Sequence, residues 1–130
     1  MKKTILVTGV LFGMLAVILG AFGAHGLEKL MSQENLATFE TGVRYQMYHA
    51  FFLLILGNMD LVSEKKSKMV YYLITAGTVL FSFSIYLLAT NDLTGFNFKT
   101  IGFITPIGGM LLILGWAVLG YSIIRTSTEK

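Results

Sequence analysis

A chain of 130 residues with 55% hydrophobic and 13% charged residues departs from the soluble balance, in which about a quarter of residues carry charge. Cysteine is absent, which excludes a disulfide framework, a thiolate metal site and a cysteine nucleophile. The net charge of +3 comes from basic residues flanking apolar runs, not from one stripe, so it reads as a membrane-topology signal and not as a nucleic-acid surface.

Met1, Lys2 and Lys3 followed by an apolar run have the look of a signal peptide. The uncharged run at 4–24 is nevertheless about twenty residues long, enough to cross a hydrocarbon core of roughly 30 Å, and is expected to stay as a first transmembrane helix. The small residues Gly9, Gly13, Gly20 and Gly23 recur along it, and Gly26 stands where it should end, as a plausible C-cap. Residues 26–44 then form the one long connection. Within it Ser32 can cap a helix with Glu34 in its first turn, and Leu36, Phe39, Val43 and Ala50 recur at helical spacing. The second helix is therefore expected to begin near Gln33 with an amphipathic extension on the outer side, before a span at about 44–62.

"SEKKSK" reads as a tight basic loop leading to a third span at about 69–90, and "NDLTGFNFK" as a turn leading to a fourth at about 100–124. Gly108 and Gly109 offer a close-packing surface in the last span. Thr105 and Pro106 mark a kink or a late helix start, because proline lacks an N–H. The expected fold is an all-α integral membrane protein, a single domain over 1–130 built as an antiparallel four-helix bundle. Lys2, Lys3, Lys65, Lys66, Lys68, Arg125 and Lys130 fall on one side, against Lys29, Arg44 and Lys99 on the other, which puts both termini in the cytoplasm of a multi-pass plasma-membrane protein. Tyr71, Tyr72 and Tyr121 are expected at the inner interface and Tyr86 toward the outer one.

The chemistry-bearing block is "FETGVRYQMYHA" at 39–50. On a helix Glu40 can pair with Arg44, and Tyr45 with His49, while Gln46 lies nearer His49 and Ala50. Ionisable groups in a membrane are costly, so His25, Glu40, Arg44, Tyr45, Gln46 and His49 form a candidate polar cluster. Two readings of it stand side by side: structural tethering of one helix to its neighbours, or a ligand or proton site. His25 closes the first span on the outer side, and its depth is expected within about one helical turn of His49. Haem between these two imidazoles, or zinc with a nearby carboxylate, is a minor alternative to a protein without cofactor or metal, because two histidines are a minimal ligand set. No catalytic spacing is present, and no catalytic residue is assigned.

Through "GAFGAHGL" at 20–27, "FETGVRYQMYHA" at 39–50 and "GFITPIGGMLLILGW" at 102–116, the chain resembles a family of small bacterial membrane proteins of unknown function with small mitochondrial transmembrane relatives. The resemblance implies four transmembrane helices and supplies no activity. The expected function is thus a non-enzymatic assembly, stability or interaction factor, with membrane lipids, a second copy or another membrane protein as partners. The alternative is a binding or transport module for a small amphipathic ligand, a lipid or quinone, in an outer-leaflet pocket of His25, Arg44, Tyr45, Gln46 and His49.

Overall fold

The computed structural model describes residues 1–94 and 98–128, and among these the regular structure is helical. Helix α1 (Lys2–His25) is apolar on all sides and turns Ile5, Gly9, Phe12, Ala16 and Gly23 inward. Helix α2 (Gln33–Gly57) starts as its sequence dictates, with the Ser32 hydroxyl accepting the Asn35 amide at 3.1 Å. Its first turns are packed, not free: Phe39 is buried and joins Leu27 and Ala89 in a small apolar cluster at that end.

The loop expected at "SEKKSK" is instead the beginning of helix α3 (Glu64–Thr78). Ser63 caps it by accepting the Lys66 amide at 3.3 Å, Glu64 occupies its first turn, and the connection is confined to residues 58–63. Helix α3 runs through a π-helical segment (Val79–Phe83) into α4 (Ser84–Ala89), and together these make one continuous third rod, Glu64–Ala89. Helix α5 (Ile104–Thr128) follows. Pro106 is its third residue, within the first four positions whose N–H groups have no intrahelical acceptor. The late helix start, not a kink, is therefore the outcome at Thr105 and Pro106. The Gly-containing part of the turn before α5, residues 95–97, lies outside the described residues, as does Lys130.

Among the described residues, three helices are long and apolar enough to cross a membrane: α1, the third rod and Ile104–Thr126 of α5. Helix α2 is the more polar one, and it occupies the middle. It packs on α1 along its length and on the third rod, which in turn packs on α5, giving an antiparallel four-helix bundle. The α1–α2 register is set by small residues. A methyl at Gly9 would press on the Ala50 carbonyl (3.1 Å), and one at Gly23 on the Phe39 ring (3.1 Å), while Gly13 and Gly20 face Ala50 and Val43. On the other side Gly108 meets the third rod at backbone distance, so a methyl there would lie 2.8 Å from the Leu80 carbonyl carbon; Gly109 faces the Phe81 ring. Close backbone approach of this kind replaces the hydrophobic drive that lipid removes. Gly26 does end α1, but in the right-handed region (φ −102°), with its amide donating to the Phe22 carbonyl at 2.7 Å.

Candidate functional site

The larger apolar core, with Ile5, Leu53, Leu56, Val70, Ile74 and Leu112, fills the half of the bundle nearer the N-terminus. Phe39, Leu27 and Ala89 fill the opposite end. Between them runs a layer of polar groups. Gln46 is fully buried, donates from Nε2 to the Phe12 carbonyl at 2.8 Å and accepts the Tyr86 hydroxyl at 2.6 Å, so one amide joins α1, α2 and α4. Ser82, also fully buried, donates to the Gly42 carbonyl at 2.9 Å. The Ser84 hydroxyl reaches Thr105 at 2.5 Å and the Phe81 carbonyl at 2.9 Å. These serines flank or occupy the π segment, where the widened helical turn offers side chains to two neighbours at once.

His49 belongs to the same layer and is 4% exposed. The Trp116 indole N–H donates to its Nε2 at 3.1 Å, and its Nδ1 lies 2.7 Å from the Tyr45 carbonyl. With Nε2 accepting, Nδ1 must carry the proton, which gives a neutral imidazole with both nitrogens engaged. The ring also stacks near Tyr45 (centroids 6.5 Å), and Phe52 meets Trp116 edge-on at 4.6 Å.

The remaining candidate residues lie elsewhere. Glu40 and Arg44 do pair, at 3.7 Å, but on the exposed side of α2. Tyr45 is partly exposed, with its ring against Phe81 (5.0 Å) and Tyr48 (5.6 Å). His25 is exposed in the last turn of α1. The expected meeting of His25 and His49 is corrected by the α1–α2 register. Gly23 faces Phe39 and Gly13 faces Ala50, so His25 is level with the region near residue 37. That leaves it roughly 18 Å along the axis from His49, at 1.5 Å per residue. The two imidazoles therefore lie apart along the bundle. Nor is the layer at the end of the bundle where His25 lies: Gln46 is level with Phe12, near the middle of α1.

Sequence reasoning missed the bonds of Trp116 and Tyr86 and the π segment. Tyr71 and Tyr86, expected as interfacial anchors, turn inward, Tyr71 bonding Thr8 at 2.8 Å and Tyr86 bonding Gln46. The available signal was chemical: an indole or phenol in an apolar span needs a partner for its N–H or O–H.

A cavity of about 390 Å³ opens at the N-terminal end of the bundle. Its floor includes Ile5 and Leu56, and its rim includes Lys2, Lys3, Asp60 and Glu64. Lys2 and Asp60 form an ion pair across it, and the Lys2 ammonium holds the Asp60 carboxyl below its ordinary range.

With this geometry in view, comparison with known proteins places the chain. A family model described as a protein of unknown function, DUF423, matches residues 19–109. The chain is 41% identical over 117 residues to the UPF0382 membrane protein SAB0533 of Staphylococcus aureus (90% of this chain, 92% of the relative). It is 42% identical to the UPF0382 membrane protein SSP2132 of Staphylococcus saprophyticus (90% and 93%). It is 39% identical to the UPF0382 membrane protein YwdK of Bacillus subtilis (90% and 93%). No solved structure matches the chain. The chain belongs to the DUF423 family, a family of membrane proteins whose function is unknown.

Proposed function

We propose that this protein is a non-enzymatic multi-pass component of the plasma membrane, acting as an assembly, stability or interaction factor for another membrane protein or for a second copy of itself. One observation carries the reading: the polar groups of the central layer are spent on tying helices together. Gln46 bonds the α1 backbone and Tyr86, His49 holds Trp116, and Ser82 holds the α2 backbone. Such bonds favour one arrangement of the helices and leave the outward faces of α1 and α5 for lipid or protein neighbours, with Val10, Val17, Ile18, Met110, Ile113 and Trp116 exposed there. In this reading α2 crosses the bilayer with the other three helices, because its polar side chains face its neighbours. Both termini are cytoplasmic, in keeping with the basic residues at that end.

The ligand-binding alternative has weaker support, because His25 and Arg44 are exposed while Gln46 and His49 are satisfied inside the bundle. Isolation of the protein under mild detergent from its native membrane is expected to return a copurifying membrane protein or a self-associated form. Deletion is expected to impair assembly of the copurifying complex. A monomeric bundle alone, with no growth or assembly defect on deletion, would count against the proposal. Single cysteines placed in the cysteine-free chain at Lys3 and Lys29 test the orientation: an impermeant thiol reagent applied to intact cells is expected to label only the second.

A further inference from the structure

The cavity of about 390 Å³ at the N-terminal end of the bundle holds an exception among the buried polar side chains. Gln46, His49, Thr78, Ser82, Ser84 and Ser122 are buried, and each is hydrogen-bonded within the chain. Ser67 of α3 is 8% exposed and lines the cavity, and its hydroxyl has no partner among the described residues. A serine inside a helix commonly bonds back to the carbonyl one turn earlier. Buried hydroxyls are ordinarily satisfied, and for Ser67 the partner is left to whatever fills the cavity. The rim carries both signs of charge: Lys2 is paired with Asp60, while Lys3 and Glu64 form no ion pair among the described residues. Two ammoniums and two carboxylates leave that rim without net charge, over a floor of Ile5, Leu56 and Val62.

The cavity continues onto an apolar path. Met59 also borders a shallow hollow on α2 with Ile55 and Asn58, and Leu54 is shared between that hollow and a groove along α1 and α2. The groove has a volume of about 480 Å³, with the small residues Gly9, Gly13 and Ala50 in its lining beside Met14, Val17 and Phe51. From Lys3 to Val17 the path runs roughly 21 Å at 1.5 Å per residue, longer than one leaflet's half of a roughly 30 Å hydrocarbon core. We propose that the cavity takes the headgroup of a zwitterionic phospholipid with a primary ammonium, of the phosphatidylethanolamine class, and that the α1–α2 groove takes one of its acyl chains. In that arrangement Lys2, Lys3 and the Ser67 hydroxyl donate to the phosphate, and Asp60 and Glu64 accept from the ammonium of the lipid. A primary ammonium offers three donors to these carboxylates, and the quaternary ammonium of phosphatidylcholine offers none. Phosphatidylglycerol brings the phosphate without the cation that the carboxylates call for. The site depends on the placement of the bundle in a membrane and not on a protein partner, so it stands or falls separately from the assembly role.

The test is native mass spectrometry of the full chain in mild detergent with phosphatidylethanolamine, phosphatidylcholine or phosphatidylglycerol of matched chains added. The wild type is expected to hold phosphatidylethanolamine about tenfold more tightly than either of the others; equal retention of the three overturns the proposal. Asp60→Asn with Glu64→Gln removes the carboxylates and leaves both cations, so the preference should reverse toward phosphatidylglycerol. Glu28→Gln with Glu34→Gln, at the opposite end of the bundle, should leave the order unchanged. A preference for phosphatidylethanolamine that survives the first double variant, or that is lost equally in the second, overturns the assignment. Gly13→Leu should fill the groove, where an added Cβ meets Ala50 at an ordinary 3.7 Å, and lower retention of all three lipids; unchanged retention overturns the seating of the chain. Phosphoethanolamine, the headgroup alone, should fail to displace the lipid, and displacement would overturn the lipid assignment in favour of the free zwitterion. Should the first double variant lose its helical circular dichroism, Glu64→Gln alone replaces it, and an unchanged ratio of phosphatidylethanolamine to phosphatidylcholine then overturns the proposal.

Discussion

Residues 39–50 of α2 carry two polar sets of similar chemistry with opposite fates. Gln46 and His49, with Gly42 one turn earlier, face the bundle and are bonded to α1, the third rod and α5. Glu40 and Arg44 face outward with Tyr48 and form a loose ion pair with each other. Spacing separates the sets: 42, 46, 49 and 53 share one side of the helix, and 40, 44, 48 and 51 the other. The difference teaches that polarity in a membrane helix reports a function only once its direction is known. The inward set holds the fold, and the outward set is available to whatever lies outside it.

The sharpest way to break the inward set is to separate the helices that carry it. Gly108→Leu would drive a side chain into the backbone of the π segment, where overpacking costs about 1–3 kcal/mol or more. Loss of the monodisperse folded peak in size-exclusion chromatography is the expected result. Gln46→Leu should follow, since it strands the Tyr86 hydroxyl and removes the tie to α1, at about 1–3 kcal/mol in thermal unfolding. A double-mutant cycle with Tyr86→Phe isolates the direct bond, for which about 0.6 and at most about 1.7 kcal/mol is expected in a membrane protein. His49→Phe should cost about 1 kcal/mol and shift the emission of the single tryptophan to shorter wavelength, as its N–H loses an acceptor. An unchanged spectrum would break the assignment of that contact.

The outward set is expected to respond weakly. Arg44→Ala should change unfolding by less than about 0.5 kcal/mol, because an exposed i, i+4 pair is screened by solvent; a loss as large as that of Gln46→Leu would erase the contrast between the two sides. The smallest effect belongs to the exposed Lys2–Asp60 pair. Its carboxyl is held below the ordinary range in the folded state, so its contribution is present above that range and is lost as pH falls through the folded-state pKa. The stability difference between wild type and Asp60→Asn should therefore be present at neutral pH and vanish in strong acid.

Much of the architecture was legible in the chain. Run length and hydropathy mark the apolar helices, Ser32 marks the start of α2, and the short connections make neighbours antiparallel. The pairing of Glu40 with Arg44 and the closeness of Tyr45 to His49 were also legible, because i, i+4 contacts are local to one helix. "SEKKSK" misled, since its charges suggest a loop while Ser63 and Glu64 are helix-starting residues. The central layer was not legible. In a soluble protein the apolar stripe tells which side faces the core, but in lipid an apolar side chain is at home on both sides, so periodicity no longer reports direction. The sequence by itself determined that four helices form, roughly where they begin, and that the chain belongs in a membrane. Only the tertiary structure decided that Gln46 reaches Phe12 and Tyr86, that His49 meets Trp116 and not His25, and that the third rod widens at Val79–Phe83. Each of these depends on the register between helices, which close glycine contacts set across the bundle and no local pattern encodes.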